Sequence, residues 1–170
     1  MTGTDSVKAP PLWVHLRDVI LLPVTVSVIV PYLIYDPAHL FLPGWLLLKT
    51  AGLVLLTGGL ALLIYTNYLF RSIGKGSLAP WSPTQKLIVT GPYRYCRNPM
   101  ISGVLFILTG EALFFHSVEI ALWAILFFGI NTTYFMLKEE PDLFRRFGDN
   151  YRKYRENVPR WIPRLKPYRQ

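Results

Sequence analysis

The sequence predicts an all-α, polytopic membrane protein with about four transmembrane helices. Three observations carry that prediction. The chain is 52% hydrophobic with a mean hydropathy of +0.32, above what a soluble domain of this size carries. Its apolar residues gather in four runs, each suited to a helix crossing a hydrocarbon core about 30 Å thick. Its Lys and Arg residues fall almost entirely between and after those runs.

The first span, about 12–35, has its apolar centre from Val19 to Tyr35, with Trp13, Tyr32 and Tyr35 as interfacial anchors. Pro23 and Pro31 predict kinks, which a membrane helix tolerates when neighbours satisfy the freed carbonyls. The second, about 45–70, runs from Trp45 to Phe70 and is long enough to tilt or to emerge from the bilayer. The third, 99–115, runs from Pro99 to Phe115, and the fourth, 118–137, from Val118 to Leu137. Only His116 and Ser117 separate these two, so they are expected to form a tight helical hairpin. Beyond them, Pro141 to Asn157 reads as a polar helix with Leu143, Phe147, Tyr151 and Tyr154 on one stripe. Such a stripe suits a helix that lies on a membrane or caps a cytoplasmic pocket.

Ten of the eighteen Lys and Arg residues follow Leu137, and Arg71, Lys75, Lys86, Arg94 and Arg97 lie in the middle segment. Lys8 and Arg17 precede or enter the first span, and only Lys49 lies on the other side. The positive-inside rule then places both termini and the segments 71–98 and 138–170 in the cytoplasm, within one domain spanning 1–170. A fifth or re-entrant segment is also compatible with this pattern. The net charge of +8 matches anionic headgroups rather than nucleic acid, because the basic residues are not interleaved with a soluble core. One cysteine, Cys96, excludes an intramolecular disulfide and a Cys-rich metal site, and His15, His39 and His116 lack ligand spacing. No metal and no cleavable signal peptide are expected.

Asn98-Pro99 reads as a helix start, Asn as N-cap and Pro at the first helical position. That pair either merely begins the third span or uses its free N–H groups to hold an anionic group such as a carboxylate. Glu139-Glu140 either is a solvated helix end or pairs with a cationic ligand, Arg94 or Arg97, since acids at a helix C-terminus oppose the macrodipole. Glu111 is expected at the outer interface, Asn131, Thr132 and Thr133 as interhelical glue, and Cys96 as a packing residue. Gly74-Lys75-Gly76 lacks the strand and the full glycine fingerprint of a nucleotide fold, and Ser72 to Pro83 is a loop by its Gly and Pro content.

Two blocks then stand out: Gly91-Pro92-Tyr93-Arg94-Tyr95 with Arg97-Asn98-Pro99-Met100 and Gly103, and Glu139-Glu140 with Phe147-Gly148, Tyr151, Tyr154 and Val158-Pro159-Arg160. With the Gly74-Lys75-Gly76 loop, Pro80, Pro83 and Leu87 to Thr90, their order resembles the integral-membrane methyltransferases that include isoprenylcysteine carboxyl methyltransferases and phospholipid methyltransferases. The resemblance covers roughly the last three-fifths of the chain; the first two spans match only as apolar helices. It implies S-adenosyl-L-methionine at the cytoplasmic face, contacted by Gln85, Lys86, Leu87, Ile88, Tyr93, Asn98, Pro99, Met100, Ile101 and Glu139. Helix-start N–H groups suit its carboxylate, Glu139 its cationic portion, and Tyr93 and Ile88 its adenine face. The implied reaction is methyl transfer to a lipophilic acceptor that enters from the bilayer: a lipid amine, a lipid hydroxyl or a prenylcysteine-like carboxylate. Glu140 and Arg97 are the catalytic candidates, Glu140 as proton acceptor for a hydroxyl or amine.

Two departures bear on the acceptor. Prenylcysteine enzymes usually have His and Tyr where this chain has Asn98 and Ile101, which removes any acid–base duty of that His. The eukaryotic ones place Arg four residues before the counterpart of Glu139, where this chain has Phe135, so a carboxylate acceptor lacks its bidentate partner and prenylcysteine is disfavoured. The competing class is a non-catalytic membrane scaffold or subunit with a basic, lipid-binding tail. It requires surface charge but no particular order of motifs. The expected location is a prokaryotic cytoplasmic membrane.

Overall fold

The computed structural model describes residues 11–37, 45–74 and 84–169. The expected first loop around His39, the Lys75-Gly76 part of the glycine loop, Pro80 and Pro83 lie outside the described residues. The described chain is all-helical, with no strand among its residues.

The chain enters through α1 (Leu12–Val19), widens into a π-wound stretch from Ile20 to Ile29, and closes with α2 (Val30–Ile34). The expected kink at Pro23 thus takes the form of a wider winding. Pro23 has no N–H to continue an α-helical ladder, and Ser27 Oγ donates to its carbonyl at 2.7 Å. Trp123, on a different helix, donates through Nε1 to the Val26 carbonyl at 3.0 Å, the satisfaction by a neighbour that such a stretch needs in lipid. Pro31 follows on the π-wound stretch, at the start of α2.

Helix α3 (Trp45–Leu69) ends in a π turn, Phe70–Gly74, and α4 (Pro99–Phe115) lies against it. Their contact is made backbone to backbone. A methyl group added at Gly59 would stand 2.6 Å from the Gly103 carbonyl oxygen, and one at Gly52 would stand 2.7 Å from that of Gly110. These two glycine pairs, one near each end of the contact, run in opposite senses along the two helices, so α3 and α4 are antiparallel. Close approach of this kind drives helix association where lipid removes the hydrophobic term.

His116 ends α4 in the left-handed conformation (φ 55°), and Ser117 caps α5 (Val118–Tyr134) by accepting from the Ile120 N–H at 3.2 Å. Leu63, Val104, Ile107, Leu108, Ala124 and Phe127 form the core shared by α3, α4 and α5. Instead of breaking near Leu137, the helix passes through a π turn, Phe135–Glu139, into α6 (Glu140–Asn157). Pro141 follows on that π turn, whose wider winding accommodates the missing proline N–H.

Two helical stretches, Leu46–Gly74 and Val118–Asn157, are long and apolar enough to cross a membrane; Leu21–Ile34 and Pro99–Phe115 are shorter apolar helices. In the two long stretches only 17% and 11% of the apolar window is buried, the reverse of a soluble core helix. Leu47, Val54, Ile64 and Ile125 all face outward, an apolar surface that water would not stabilise.

Candidate active site

The segment before α4 is held from three sides. Gly91 adopts φ 57° and lies so close to Tyr65 that a Cβ would meet its hydroxyl at 2.9 Å. A 3₁₀ turn, Gly91–Arg94, follows, with Pro92 in its first positions. The C-terminal residues then strap it down: Arg97 and Asn98 donate from their backbone to the Pro159 and Arg160 carbonyls, and Arg164 and Tyr168 donate to those of Tyr95 and Arg94. The third clamp is α6, whose Tyr154 hydroxyl donates to the Tyr93 carbonyl at 2.7 Å. Burial raises the phenols of Tyr93, Tyr151 and Tyr154, so all three stay neutral hydrogen-bonding groups, and it also raises the Cys96 thiol.

The stripe read in the sequence does face inward: Tyr151, Tyr154 and Val158 form a buried cluster, packed by Leu87, Val89, Leu143 and Phe147. Gly148 interrupts α6 with φ 51° and ψ −128°, a combination open only to glycine, so the helix is bent where it folds over the segment. Arg146 pins the start of that segment by donating to the Thr84 carbonyl at 2.7 Å.

Between these parts lies a cavity of about 350 Å³, the scale of a small-molecule site. Part of its lining is polar and aromatic, with Thr84, Tyr93, Arg97, Asn98, Glu139 and Tyr151. Much of the rest is apolar and comes from the helices, with Leu22, Val26, Leu63, Val104, Phe127 and Ile130. Asn98 stands at the N-cap position of α4, yet its side chain makes no capping bond; its Nδ2 is buried without a partner. Arg97 Nε is likewise buried and unpartnered. Such donors are costly to leave unsatisfied unless something occupies the space beside them. Glu139 is half-buried on the same wall, and burial is the main cause of its raised pKa; Arg146 pulls it down and Asp142 pushes it up.

Of the residues expected at the site, Leu87, Ile88, Tyr93, Arg97, Asn98, Met100, Ile101 and Glu139 line this cavity. Gln85, Lys86, Pro99 and Glu140 do not; Gln85 and Lys86 are exposed, and Pro99 is buried at the start of α4. Glu140, expected as a proton acceptor, stands in a network of arginines. Its Oε1 accepts from Arg97 Nη1 and Arg160 Nε, both at 2.8 Å, and Arg155 lies 3.7 Å from Oε2. A carboxylate so engaged, away from the cavity, positions Arg97 instead; Arg97 also meets the Tyr151 hydroxyl at 3.1 Å. Asn131, read as interhelical glue, reaches the cavity wall while donating to the Phe127 carbonyl at 2.9 Å. The contribution of Leu22, Pro23 and Val26 was not legible, because their apolar run carries no motif.

A family model described as phospholipid methyltransferase matches residues 47–150, which hold nearly all of α3, the whole of α4 and α5, and most of α6. No curated protein and no solved structure matches the chain. The match spans well over half of the 170 residues and carries most of the cavity wall, and the chain, a membrane protein by its long apolar helices, belongs to the phospholipid methyltransferase family.

Proposed function

We propose that the protein transfers a methyl group from S-adenosyl-L-methionine to a lipophilic acceptor at the membrane surface. One observation carries this reading: a single cavity is lined both by residues with unsatisfied donors and an acid and by a broad apolar surface from the helices. The donor set fits the cofactor. Asn98 Nδ2 and Arg97 Nε offer N–H groups to its carboxylate, Glu139 offers a negative charge to its ammonium, and Ile88, Leu87 and Tyr93 offer apolar surface to its adenine. When bound, the cofactor supplies an electrophilic methyl on a sulfonium.

The residues of the chain contribute position and dryness. Tyr151 and Glu140 fix Arg97, Tyr154 fixes the Tyr93 backbone, and α6 covers the polar lining against water. The apolar lining takes the acceptor's hydrocarbon portion. Phe135, on the cavity wall, supplies no charge for a carboxylate, which favours an amine or hydroxyl acceptor over prenylcysteine. In this reading the four apolar helices all cross the bilayer, the last two as a hairpin, with both termini cytoplasmic, and α6 lies at the headgroup surface.

The test is calorimetric binding of S-adenosyl-L-methionine and S-adenosylhomocysteine to the detergent-purified chain, followed by label transfer into lipid extract. Micromolar binding that weakens at least about tenfold in Asn98→Ala and Glu139→Ala is expected. No binding to a folded, lipid-supplemented sample overturns the reading.

A further inference from the structure

A second concavity, about 480 Å³ in volume, opens at the surface where α5 passes into α6. Arg145, Arg155 and Arg160 line it, with Glu140 at its buried side and Met136 and Phe144 on its apolar walls. It shares no residue with the cavity described above. Its charge is unbalanced. Three guanidiniums line it, while Asp142 pairs with Arg145 and the one lining carboxylate, Glu140, is shared between Arg155, Arg160 and Arg97 of the neighbouring cavity. Arg155 lies 3.7 Å from Glu140, beyond hydrogen-bond length, and is 55% exposed. Trp161 packs on Phe128 and Phe135 and so fastens the neighbouring Arg160 to the end of the apolar helix. Leu137, one residue from Met136, is 75% exposed.

We propose that this concavity binds the phosphate of an anionic phospholipid, whose acyl chains run along Met136 and Leu137. Guanidinium forks match phosphate oxygens in shape and charge. Zwitterionic headgroups carry their own cation, which the surplus arginine charge repels. Soluble phosphate lacks the chains that the adjoining apolar side chains would cover, and an acidic protein would have to approach at the depth where the apolar helix ends. The site is separate from the methyl acceptor's, because Glu140 and Arg97 stand between the two concavities.

Native mass spectrometry of the purified full chain tests this without any reading of methyl transfer. The protein is titrated with phosphatidylglycerol, phosphatidylcholine and soluble glycerol phosphate. The wild type should retain phosphatidylglycerol preferentially, and Arg145→Gln/Arg155→Gln should weaken that retention about tenfold, with phosphatidylcholine unchanged. Both arginines are well exposed, so the fold should survive. Arg152→Gln, which pairs with Asp149 elsewhere on α6, should leave retention unchanged. Equal phosphatidylglycerol retention by wild type and double variant overturns the proposal. An equal loss in Arg152→Gln overturns it as well, since the effect would then be general charge. Displacement by glycerol phosphate alone overturns the lipid in favour of a soluble ligand.

Discussion

The guanidinium of Arg97 meets the carboxylate of Glu140 at 2.8 Å, bridging the segment before α4 to the first residue of α6. Both side chains are nearly closed off from solvent, at 10% and 6% exposure. A buried pair repays its desolvation only when the remaining donors and lone pairs are also used. Here Arg160 takes a second bond to the same carboxylate oxygen, and Tyr151 takes a second contact from the same guanidinium nitrogen. Arg97 Nε is left over, on a residue that also lines the cavity. The acid therefore acts on the site through the arginine that it holds.

Glu140→Ala should lower stability by about 3–5 kcal/mol, because it leaves buried Arg97 without its counter-charge. Glu140→Gln should cost less, since the amide oxygen can still accept. Thermal unfolding in a fixed detergent checks both. An unchanged melting temperature in Glu140→Ala would remove the structural role. A hundredfold activity loss in Glu140→Gln at unchanged stability and unchanged cofactor affinity would instead restore a direct chemical one.

Gly58 and Gly59 make an internal control. A Cβ at Gly59 would lie 2.6 Å from the Gly103 carbonyl and 2.8 Å from the Ile107 nitrogen, both rigid backbone, whereas one at Gly58 would meet nothing within 4 Å. Gly59→Ala should force α3 and α4 apart and destabilise by about 1–3 kcal/mol. Gly58→Ala should be neutral or slightly stabilising, as Ala favours a helix more than Gly does. Unfolding of the two variants side by side settles it, and equal melting temperatures would contradict the antiparallel contact.

The helices were legible because apolar runs and Pro/Gly punctuation are local properties of the chain. Pro99 to Phe115 is the clearest case, with Asn98-Pro99 before it and His116-Ser117 after it. The aromatic stripe of α6 was equally legible from its period. The partners of Glu139 and Glu140 were not. Consecutive helix residues point about 100° apart, and only tertiary packing shows that Glu139 turns to the cavity while Glu140 turns to Arg97 and Arg160. Asn98 misled for a related reason. Its type suits a cap, yet its amide is unused by the helix and left beside the cavity. The glycine contact between α3 and α4 was missed because each glycine, read alone inside an apolar run, carries no sign of its partner.

Gly148 should resist substitution for a reason unrelated to space. Nothing lies within 4 Å of a Cβ placed there, but φ 51° with ψ −128° is closed to other residues. Gly148→Ala should cost about 1–3 kcal/mol and straighten α6. Tyr151 and Tyr154, which follow the bend, would then lose register with Arg97 and with the Tyr93 carbonyl. Hydrogen exchange checks this: amides of residues 91–98 should exchange faster in the variant, while those of α3 and α4 should not change.

Cofactor affinity should depend on pH through Glu139. Burial holds its pKa above the usual glutamate range, so the free protein carries it protonated to a higher pH than an exposed glutamate. For folding alone, the raised value means that protonation stabilises the native state. That contribution is complete below the unfolded pKa and is lost as pH rises through the folded one. For binding the sign reverses. A cationic ligand favours the carboxylate and lowers its pKa, so the proton leaves on binding and affinity rises with pH across the interval between the two values. Calorimetry in buffers of different ionisation enthalpy would detect proton release at mildly acidic pH and none well above it. Glu139→Gln should bind more weakly and show no such release. A variant that kept the wild-type pH profile would move the cation's partner elsewhere on the cavity wall.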